Sequence, residues 1–339
     1  MKRILVTGGA GYVGSICCKQ LIDRGHEVIV IDDLSTGHAE AVPDAAEFYE
    51  LDYGDRAAMT KVFAHYKVDA VFHFAAKALI PESVSNPGMF FDVNVADGIK
   101  LLESVRAAGV TTFIFSSSAA VYGWPKTVPI SEEATKLPIN SYGETKLMFE
   151  RVLEWYARAY EWRVVAFRYF NAAGATATSG EHHQPETHII PLLLQVAAGE
   201  RERFDIYGHD YPTIDGTCLR DYVHVSDIAA AHVQALESAQ HPGFNPYNIG
   251  NGEGHTVRQV IQAVERVTGK QIPVHQAPRR QGDPAILCAS PEKLIKELNW
   301  QPRSSDLDQI IRSAWDWKLR HPSGYTKTIP QIQRTRIVA

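Results

Sequence analysis

The sequence of 339 residues has few cysteines, no long apolar run and no excess of positive charge, and each of these features would indicate a particular class of protein. It contains only four cysteines, with neither paired metal-ligand spacing nor the density of a disulfide-rich secreted scaffold. Cys17 and Cys18 are adjacent and are predicted to pack as small apolar residues. No apolar run is long enough to span a membrane, and the first predicted strand begins too early to follow a signal peptide. We therefore expect a reduced, cytoplasmic protein.

The chain also lacks an excess of positive charge. Its 34 lysines and arginines are outnumbered by 39 aspartates and glutamates, which gives a net charge of −5. No basic cluster with interleaved aromatic residues occurs, so we expect no nucleic-acid partner. What is present is a hydrophobic content of 45%, enough to bury a large core in one large domain or two closely associated ones.

A glycine-rich turn is the most informative feature that is present. It occupies residues 7–14, between the apolar residues 4–6 and an amphipathic helix. Gly8 permits a tight exit from the strand, Gly11 lets backbone N–H groups approach a pyrophosphate, and Gly14 lets the helix pack closely on the sheet. The helix start adds unpaired N–H donors and a positive dipole end. We predict a dinucleotide phosphate site, with a turn that binds nothing as the alternative. The predicted contacts are Gly8, Gly11, Tyr12, Val13 and Gly14.

Two carboxylates follow predicted strands close to this turn. Asp32 ends the second strand, where a carboxylate can accept hydrogen bonds from both adenine-ribose hydroxyls and would repel the extra phosphate of NADP. We therefore predict NAD as the cofactor. Asp52 ends the third strand, where it could reach the adenine edge. A role as N-cap of the following helix is the alternative for Asp52.

Apolar, β-branched segments alternate with helical segments along the first half of the chain. Strands buried on both faces and joined by helices predict an α/β fold of the Rossmann type, with a doubly wound parallel sheet. We expect an NAD-binding domain at 1–174 and a smaller α/β substrate-binding domain at 175–339, with the site in the cleft between them. The predicted strands are residues 3–6, 27–31, 47–51, 70–74, 112–115 and 164–168.

The glycine spacing G-x-x-G-x-x-G resembles that of the extended short-chain dehydrogenase/reductase superfamily. This superfamily also requires a tyrosine, a lysine four residues later and an upstream serine or threonine, which the chain supplies as Tyr142, Lys146 and Ser118. The resemblance implies that Tyr142 is the catalytic acid-base group and that Lys146 binds the nicotinamide ribose. Ser118 is expected to bind the substrate hydroxyl. It also implies that a segment near residues 222–249 returns to the large sheet.

The spacing of Tyr142 and Lys146 has a physical purpose. Residues four apart share one face of a helix, here one that begins near Asn140, so the ammonium can lie beside the phenol. A free phenol has a pKa of about 10, and lowering it toward neutrality requires about 4 kcal/mol of phenolate stabilisation. The ammonium and the nicotinamide charge in a dry site could supply that stabilisation.

Residues 168–171, 207–224 and 278–283 resemble signatures of the UDP-glucose 4-epimerase family. Related dehydratases carry an Asp-Glu pair at the positions of Ala119 and Ala120, and two methyl groups cannot transfer protons, which leaves hydride transfer at one carbon. Arginines suit a diphosphate because guanidinium groups bind it in bidentate fashion. The resemblance assigns UDP-sugar contacts to Asn171, His188, Ile189, Tyr207, Arg220, Arg280, Asp283 and Leu287, and cofactor contacts to Tyr53, Phe74, Asn94 and Tyr169.

Two of these positions carry alternatives, and one further segment departs from the family pattern. Leu287 stands where relatives place a gate residue: tyrosine resembles a restriction to plain hexoses, and a small residue resembles tolerance of a 2-acetamido group. The alternative is that Leu287 packs against a neighbouring strand and does not act as a gate. Asn94 could be a solvated helix asparagine. Relatives carry a lysine near the cofactor phosphates at the position of Ala78, whereas this chain has its positive charge at Lys77.

The histidines are expected to be structural or solvated. The sequence indicates no metal-ligand set between His182, His183 or His188 and nearby cysteines or carboxylates, so we expect no metal.

The resemblance implies an enzyme that interconverts UDP-glucose and UDP-galactose through a 4-keto intermediate, with tightly bound NAD. The alternatives are a 4-epimerase of another UDP-sugar (UDP-GlcNAc, a UDP-pentose or a UDP-uronate) and a non-catalytic NAD-binding regulator. A regulator would not need the acid-base set of Ser118, Tyr142 and Lys146. Helices near residues 94–108 and 141–159 resemble the pair that forms the family's dimer, so we expect a homodimer.

Overall fold

A computed structural model describes residues 1–238, 241–280, 283–304 and 306–325. The strands are β1 (Arg3–Thr7), β2 (Glu27–Asp32), β3 (Glu47–Glu50), β4 (Ala70–His73), β5 (Thr112–Ser118), β6 (Arg163–Tyr169), β7 (Asn171–Ala173), β8 (Phe204–Tyr207), β9 (Leu219–His224), β10 (Gly243–Ile249), β11 (Gly254–Thr256), β12 (Val274–Ala277) and β13 (Ile286–Leu287). The helices are α1 (Tyr12–Asp23), α2 (Arg56–His65), α3 (Ile80–Ser85), α4 (Pro87–Phe91), α5 (Gly98–Ala107), α6 (Ser141–Tyr160), α7 (Ile189–Ala197), α8 (Val225–Glu237), α9 (Val257–Thr268), α10 (Glu292–Leu298) and α11 (Leu307–Arg320).

A seven-stranded parallel sheet forms the centre of the larger unit, in the order β10-β6-β5-β4-β1-β2-β3. The predicted Rossmann-type α/β fold is confirmed. Strand β5 is longer than predicted, because the polar residues Ser116, Ser117 and Ser118 continue the ladder against β6 up to Tyr169. The sheet therefore carries three serines to its carboxyl edge, where parallel sheets build their sites.

Helices cover both faces of this sheet, as its alternating side chains require. Ile4 and Val6 pack in one cluster with residues of α1 and α8, whereas Leu5 packs in the other with residues of α2, α5 and α6. Cys17 and Cys18 are buried in the first cluster as small apolar residues, as predicted. None of the described helices is long and apolar enough to cross a membrane.

A second, smaller unit follows β6 after one residue. In it β9 pairs with β7, β11 and β13, while β8 pairs with β12. Helices α7, α9 and α11 share a separate core with these strands. Within the segment predicted to return to the large sheet, β10 pairs with β6 and α8 packs against α1, but Tyr222 lies in β9 of the smaller sheet. The carboxyl end of β6 thus lies beside both sheets.

Candidate active site

The glycine turn has the geometry of a phosphate cradle. Gly8 has φ +75, and a Cβ there would lie 2.4 Å from the backbone nitrogen of Ala75 after β4. A Cβ on Gly14 would lie 2.1 Å from the carbonyl oxygen of Gly8. The predicted reason for Gly14 is therefore corrected, because its closest neighbour is the turn and not the sheet. Gly11 has more room, since its Cβ would lie 3.3 Å from the nearest atom.

Helix α1 begins inside this turn with open backbone donors. Gly11 is its N-cap, and within the described chain no side chain caps it and no acid lies in the first turn. The N–H groups at Tyr12, Val13 and Gly14 therefore suit an anion. The Tyr12 side chain points away, and its hydroxyl donates to the carbonyl of Gly174 at 2.5 Å.

Asp32 ties the turn to the second strand. Its buried carboxylate accepts hydrogen bonds from the backbone N–H groups of Ala10 at 3.0 Å and Leu34 at 2.9 Å. Burial raises the pKa of this carboxyl, and the two backbone hydrogen bonds act against the rise. A carboxylate at the end of β2 beside an uncapped helix start fits the adenosine side of a dinucleotide.

Two carboxylates follow β3, and Asp55, not Asp52, caps the next helix. Asp55 is the N-cap of α2 and accepts two backbone N–H groups at 2.9 and 3.1 Å, so that alternative is wrong for Asp52. Asp52 instead closes a tight turn by accepting from the Gly54 N–H at 2.7 Å. Tyr53 is buried, and its hydroxyl donates to the carbonyl of Val93 at 2.6 Å.

Asn94 is buried in a π-helical segment, Asp92–Asp97, so the solvated alternative is wrong. Its side-chain oxygen accepts from the Lys77 N–H at 2.8 Å, and its nitrogen donates to the Lys77 carbonyl and to the Thr145 hydroxyl, both at 3.0 Å. Asn94 thus fastens the loop after β4 to helix α6. The Lys77 ammonium is exposed and donates to the Ser35 hydroxyl at 3.1 Å, near the end of β2.

The three predicted acid-base residues meet at the end of β5. Ser118 hydrogen-bonds to Tyr142, and its hydroxyl also accepts from the Ala120 N–H at 3.1 Å. The Lys146 ammonium donates to the Ser116 carbonyl at 2.8 Å and lies 5.9 Å from the centre of the Tyr142 ring. Burial lowers the pKa of Lys146 to about 7.

Lys146 is expected to lower the pKa of the Tyr142 phenol, but in the protein without its cofactor the pKa is not lowered. Burial raises the pKa of Tyr142, and this outweighs the Ser118 hydrogen bond, which lowers it. A buried phenolate needs a fixed positive charge nearby, which Lys146 supplies only in part when its own pKa is near 7.

Three more predicted residues lie at or just after the carboxyl ends of strands of the large sheet. The Tyr169 hydroxyl, at the end of β6, is 2.7 Å from Nε2 of His232, and the Phe74 ring stands 4.9 Å from the same imidazole. Two residues beyond Tyr169, the Asn171 side chain donates to the Asp221 carbonyl at 2.9 Å. A cofactor candidate, Tyr169, and a substrate candidate, Asn171, are therefore only two residues apart in the chain.

Four of the five remaining polar substrate candidates form two pairs, and the fifth, His188, lies beside Glu181 and Glu186. The Arg220 guanidinium makes an ion pair with Asp283, and Arg220 lies opposite Leu287 in the pairing of β9 with β13. The Arg280 guanidinium carbon stands 3.9 Å from the centre of the Tyr207 ring, a cation–π contact. Gln281 and Gly282, between the two pairs, lie outside the described residues.

The two apolar candidates occupy different cores. Leu287 is partly buried against a cluster that includes Ala119 and Tyr122. Ile189, the first residue of α7, packs against the core of the smaller unit.

Comparisons with known proteins agree with this arrangement. The sequence profile of the NAD dependent epimerase/dehydratase family matches residues 4–250. The chain belongs to that family. It is 48% identical over 329 residues to a UDP-glucose 4-epimerase of Streptococcus mutans, covering 95% of this chain and 98% of the relative. A crystal structure of a UDP-glucose 4-epimerase superposes with a TM-score of 0.93 at 46% identity, covering 96% of this chain and 100% of the other.

A third family member was crystallised with ligands. The UDP-glucose 4-epimerase of Bifidobacterium longum, in complex with NAD+ and UDP, has a TM-score of 0.92 and 36% identity, with 95% of this chain and 100% of the other covered. That the family is NAD dependent agrees with the prediction drawn from Asp32.

Sequence reasoning missed a buried ion pair behind the family's acid-base residues. Both oxygens of Glu150 accept from Arg168, at 2.9 and 2.7 Å, and the two side chains are 3% and 1% exposed. Glu150 also accepts from the Ser117 hydroxyl at 2.5 Å, and its charge partly offsets the burial that lowers the pKa of Lys146. The signal was present, because Glu150 follows Tyr142 and Lys146 at the same four-residue spacing.

The structure also corrects the interpretation of the histidines. Glu181, His183, Glu186 and His188 each offer one ligand atom, and these atoms lie within 4.8 Å of one another. The statement that His183 and His188 have no set with nearby carboxylates is therefore wrong. His182 lies outside the group. The alternation of glutamate and histidine over eight residues was the missed signal.

Proposed function

We propose that this chain is a UDP-glucose 4-epimerase that interconverts UDP-glucose and UDP-galactose with tightly bound NAD. The observation that carries the proposal is the meeting of Ser118, Tyr142 and Lys146 at the end of β5. Relatives named UDP-glucose 4-epimerase, at 46% to 48% identity, support the same activity. Two alanines follow Ser118, so the acid and the base that a dehydration reaction requires at these positions are missing.

Tyr142 is the general base and acid in this proposal. As phenolate it takes the proton of the sugar's 4-hydroxyl, while Ser118 hydrogen-bonds the same oxygen as it becomes a ketone. NAD, when bound, would supply the hydride acceptor and the positive charge of its nicotinamide ring. Lys146 holds the nicotinamide ribose and adds its charge when protonated. Turning the ketone over before the proton and hydride return inverts carbon 4.

The UDP moiety is held by the smaller unit. Arg220 and Arg280 face the diphosphate, Asn171 adds an amide, and Asp283 bonds the uridine ribose while orienting Arg220. Tyr207 lies beside the uracil. Strong contacts on UDP and few on the hexose allow the ketone to turn without leaving the site.

One assay tests the activity directly. The purified protein, without added NAD, is mixed separately with UDP-glucose, UDP-GlcNAc and UDP-xylose, and the products are resolved. We expect UDP-galactose from UDP-glucose. Turnover of only UDP-xylose would favour a pentose enzyme, and no turnover by protein that contains NAD would favour a regulator.

We also propose a homodimer formed by α5 and α6 in a reducing, cytoplasmic setting. Both helices carry apolar side chains on their outer faces, including Ile99 and Trp155, which is 67% exposed. The four cysteines are buried and free, which suits a reduced protein.

A further inference from the structure

The segment from Glu181 to His188 carries a compact group of two glutamates and two histidines before helix α7. We propose that Glu181, His183, Glu186 and His188 bind one divalent transition-metal ion of the zinc type. The four side chains converge although they belong to one short loop. This proposal replaces the expectation of no metal, and it does not depend on the catalytic activity.

The histidines aim the same ring atom at the same carboxylates. Nδ1 of His188 lies 2.7 Å from Glu181 Oε1 and 3.0 Å from Glu186 Oε1. Nδ1 of His183 lies 3.2 Å from Glu181 Oε1 and 3.9 Å from Glu186 Oε2. Zinc binds nitrogen and oxygen at about 2.0–2.2 Å, so tetrahedral ligands stand about 3.4 Å apart. The four observed separations, from 2.7 to 3.9 Å, lie on both sides of this value.

The two carboxylates are the buried part of this group, since the side chain of His188 is 52% exposed. The side chains of Glu181 and Glu186 are 8% and 7% exposed, so both carboxylates are largely removed from water. Nδ1 of His183 is buried and has no partner of hydrogen-bond geometry in the described chain. A ligand atom that points into the group without a satisfied hydrogen bond suits a bond to a metal ion.

The donor set selects the class of metal. Imidazole nitrogen with carboxylate oxygen suits zinc, cobalt and similar ions, whereas magnesium and calcium prefer oxygen ligands throughout. Two carboxylates also cancel the charge of a divalent ion.

The position of the loop predicts a structural role. His188 is the N-cap residue of α7, and the His183 ring meets the edge of the Tyr12 ring at 6.4 Å. Tyr12 in turn is fastened to Gly174 at the start of the smaller unit. A bound ion would therefore hold together the start of α7 and the glycine turn of the larger unit.

Metal binding by the complete, tag-free protein with its NAD tests the proposal. After treatment with a chelator, Co²⁺ is titrated and its visible d–d absorption recorded, and Zn²⁺ is titrated by calorimetry. We expect one equivalent of each, four-coordinate cobalt absorption that zinc abolishes, and a rise in Tm of several degrees at saturating zinc, about 3 °C or more.

Variants locate the ion. Glu181→Gln and His183→Gln should each weaken zinc binding by about 100-fold or more. His182→Gln is the matched control, since its ring stacks on His38 at 4.6 Å and lies outside the group. Wild-type protein that binds no stoichiometric zinc would overturn the proposal and leave an ion-pair network only. Equal weakening by His182→Gln would show binding elsewhere and would overturn it as well.

Discussion

Burial sets the chemistry of individual residues at the site. It raises the pKa of Tyr142, which keeps the phenol neutral, and lowers the pKa of Lys146 to about 7, so the ammonium is only partly protonated near neutral pH. A carboxylate, Glu150, lies four residues beyond Lys146 and is itself neutralised by Arg168. The proposed acid-base set therefore depends on charges that the fold brings into an apolar interior.

Tyr142→Phe removes the phenolic proton carrier and keeps the shape of the ring. Loss of general acid-base catalysis should lower kcat by about 10²- to 10⁴-fold, with UDP-sugar binding largely kept. Steady-state kinetics and UDP-glucose calorimetry measure the two effects. Tyr156→Phe on the same helix is the control, because that hydroxyl bonds to Glu103. Near-normal turnover in Tyr142→Phe would refute the assignment.

The lowered pKa of Lys146 predicts a pH-dependent stability. Between about pH 7 and pH 10 the unfolded chain keeps a proton on Lys146 that the folded chain has released, so folding gains stability as pH rises. Lys146→Met lacks this gain. The Tm of wild type minus that of Lys146→Met should therefore increase from pH 7 to pH 10, and a flat difference would contradict the lowered pKa.

Leu287 tests the width of the sugar pocket. An acetamido group that crowds its branched side chain should cost about 1 to 3 kcal/mol, a rate difference of about 5- to 150-fold. We expect slower but measurable turnover of UDP-GlcNAc, which Leu287→Tyr should depress and Leu287→Ser should raise. The measurement is kcat/KM on both sugars, and an unchanged ratio across the three proteins removes Leu287 as a gate.

At the scale of elements, the turn before α1 and the end of β5 create the site. The turn is closed by contacts that leave no space for a side chain at Gly8 or Gly14. Strand β5 carries its serines to the sheet edge only because they pair with the neighbouring β6. Polar composition alone would have ended that strand at Phe115.

Gly14→Ala should disrupt the turn and reduce NAD retention. The added Cβ would lie 2.1 Å from the Gly8 carbonyl oxygen, so the backbone must move. The cofactor released on denaturation, separated by chromatography, measures retention and should be NAD in the wild type. Gly88→Ala, whose Cβ would meet no atom within 4 Å, is the control. Full NAD content in Gly14→Ala would show that the turn does not bind the cofactor.

At the scale of the whole molecule, β7 of the smaller sheet follows β6 of the large sheet after a single residue, so the chain passes from one sheet to the other at this point. Asp32, Ser118 and Tyr169 end strands of the large sheet, and the UDP candidates Asn171, Arg220 and Leu287 lie in strands of the smaller sheet. Assembly of two chains would leave these strands unchanged if it uses the outer faces of α5 and α6.

Trp155→Glu tests that assembly. A charge on the proposed contact should convert a dimer of 37.7 kDa chains into monomers, as measured by light scattering coupled to size exclusion. Leu319→Glu on α11 is the matched control, because Leu319 is also exposed, at 59%, but is remote in sequence from α5 and α6. A wild-type monomer, or an intact Trp155→Glu dimer, would contradict the proposed interface.

The sequence by itself determined the features that depend on local spacing. The glycine turn, the alternation of strands and helices and the four-residue interval between Tyr142 and Lys146 are encoded within short segments, so periodicity and residue type suffice to predict them. The resemblance to the epimerases then supplied the expected substrate and the UDP contacts, which periodicity does not contain.

Only the tertiary structure decided which groups meet across the chain and what their charges become. It chose Asp55 over Asp52 as the cap of α2, paired Arg168 with Glu150, and turned Glu181, His183, Glu186 and His188 inward together. The Arg168–Glu150 pair depends on contacts and desolvation between different elements, which a linear pattern does not specify. The cap and the loop group are local in sequence, but the linear pattern allows more than one pairing there, and only the folded backbone selects one.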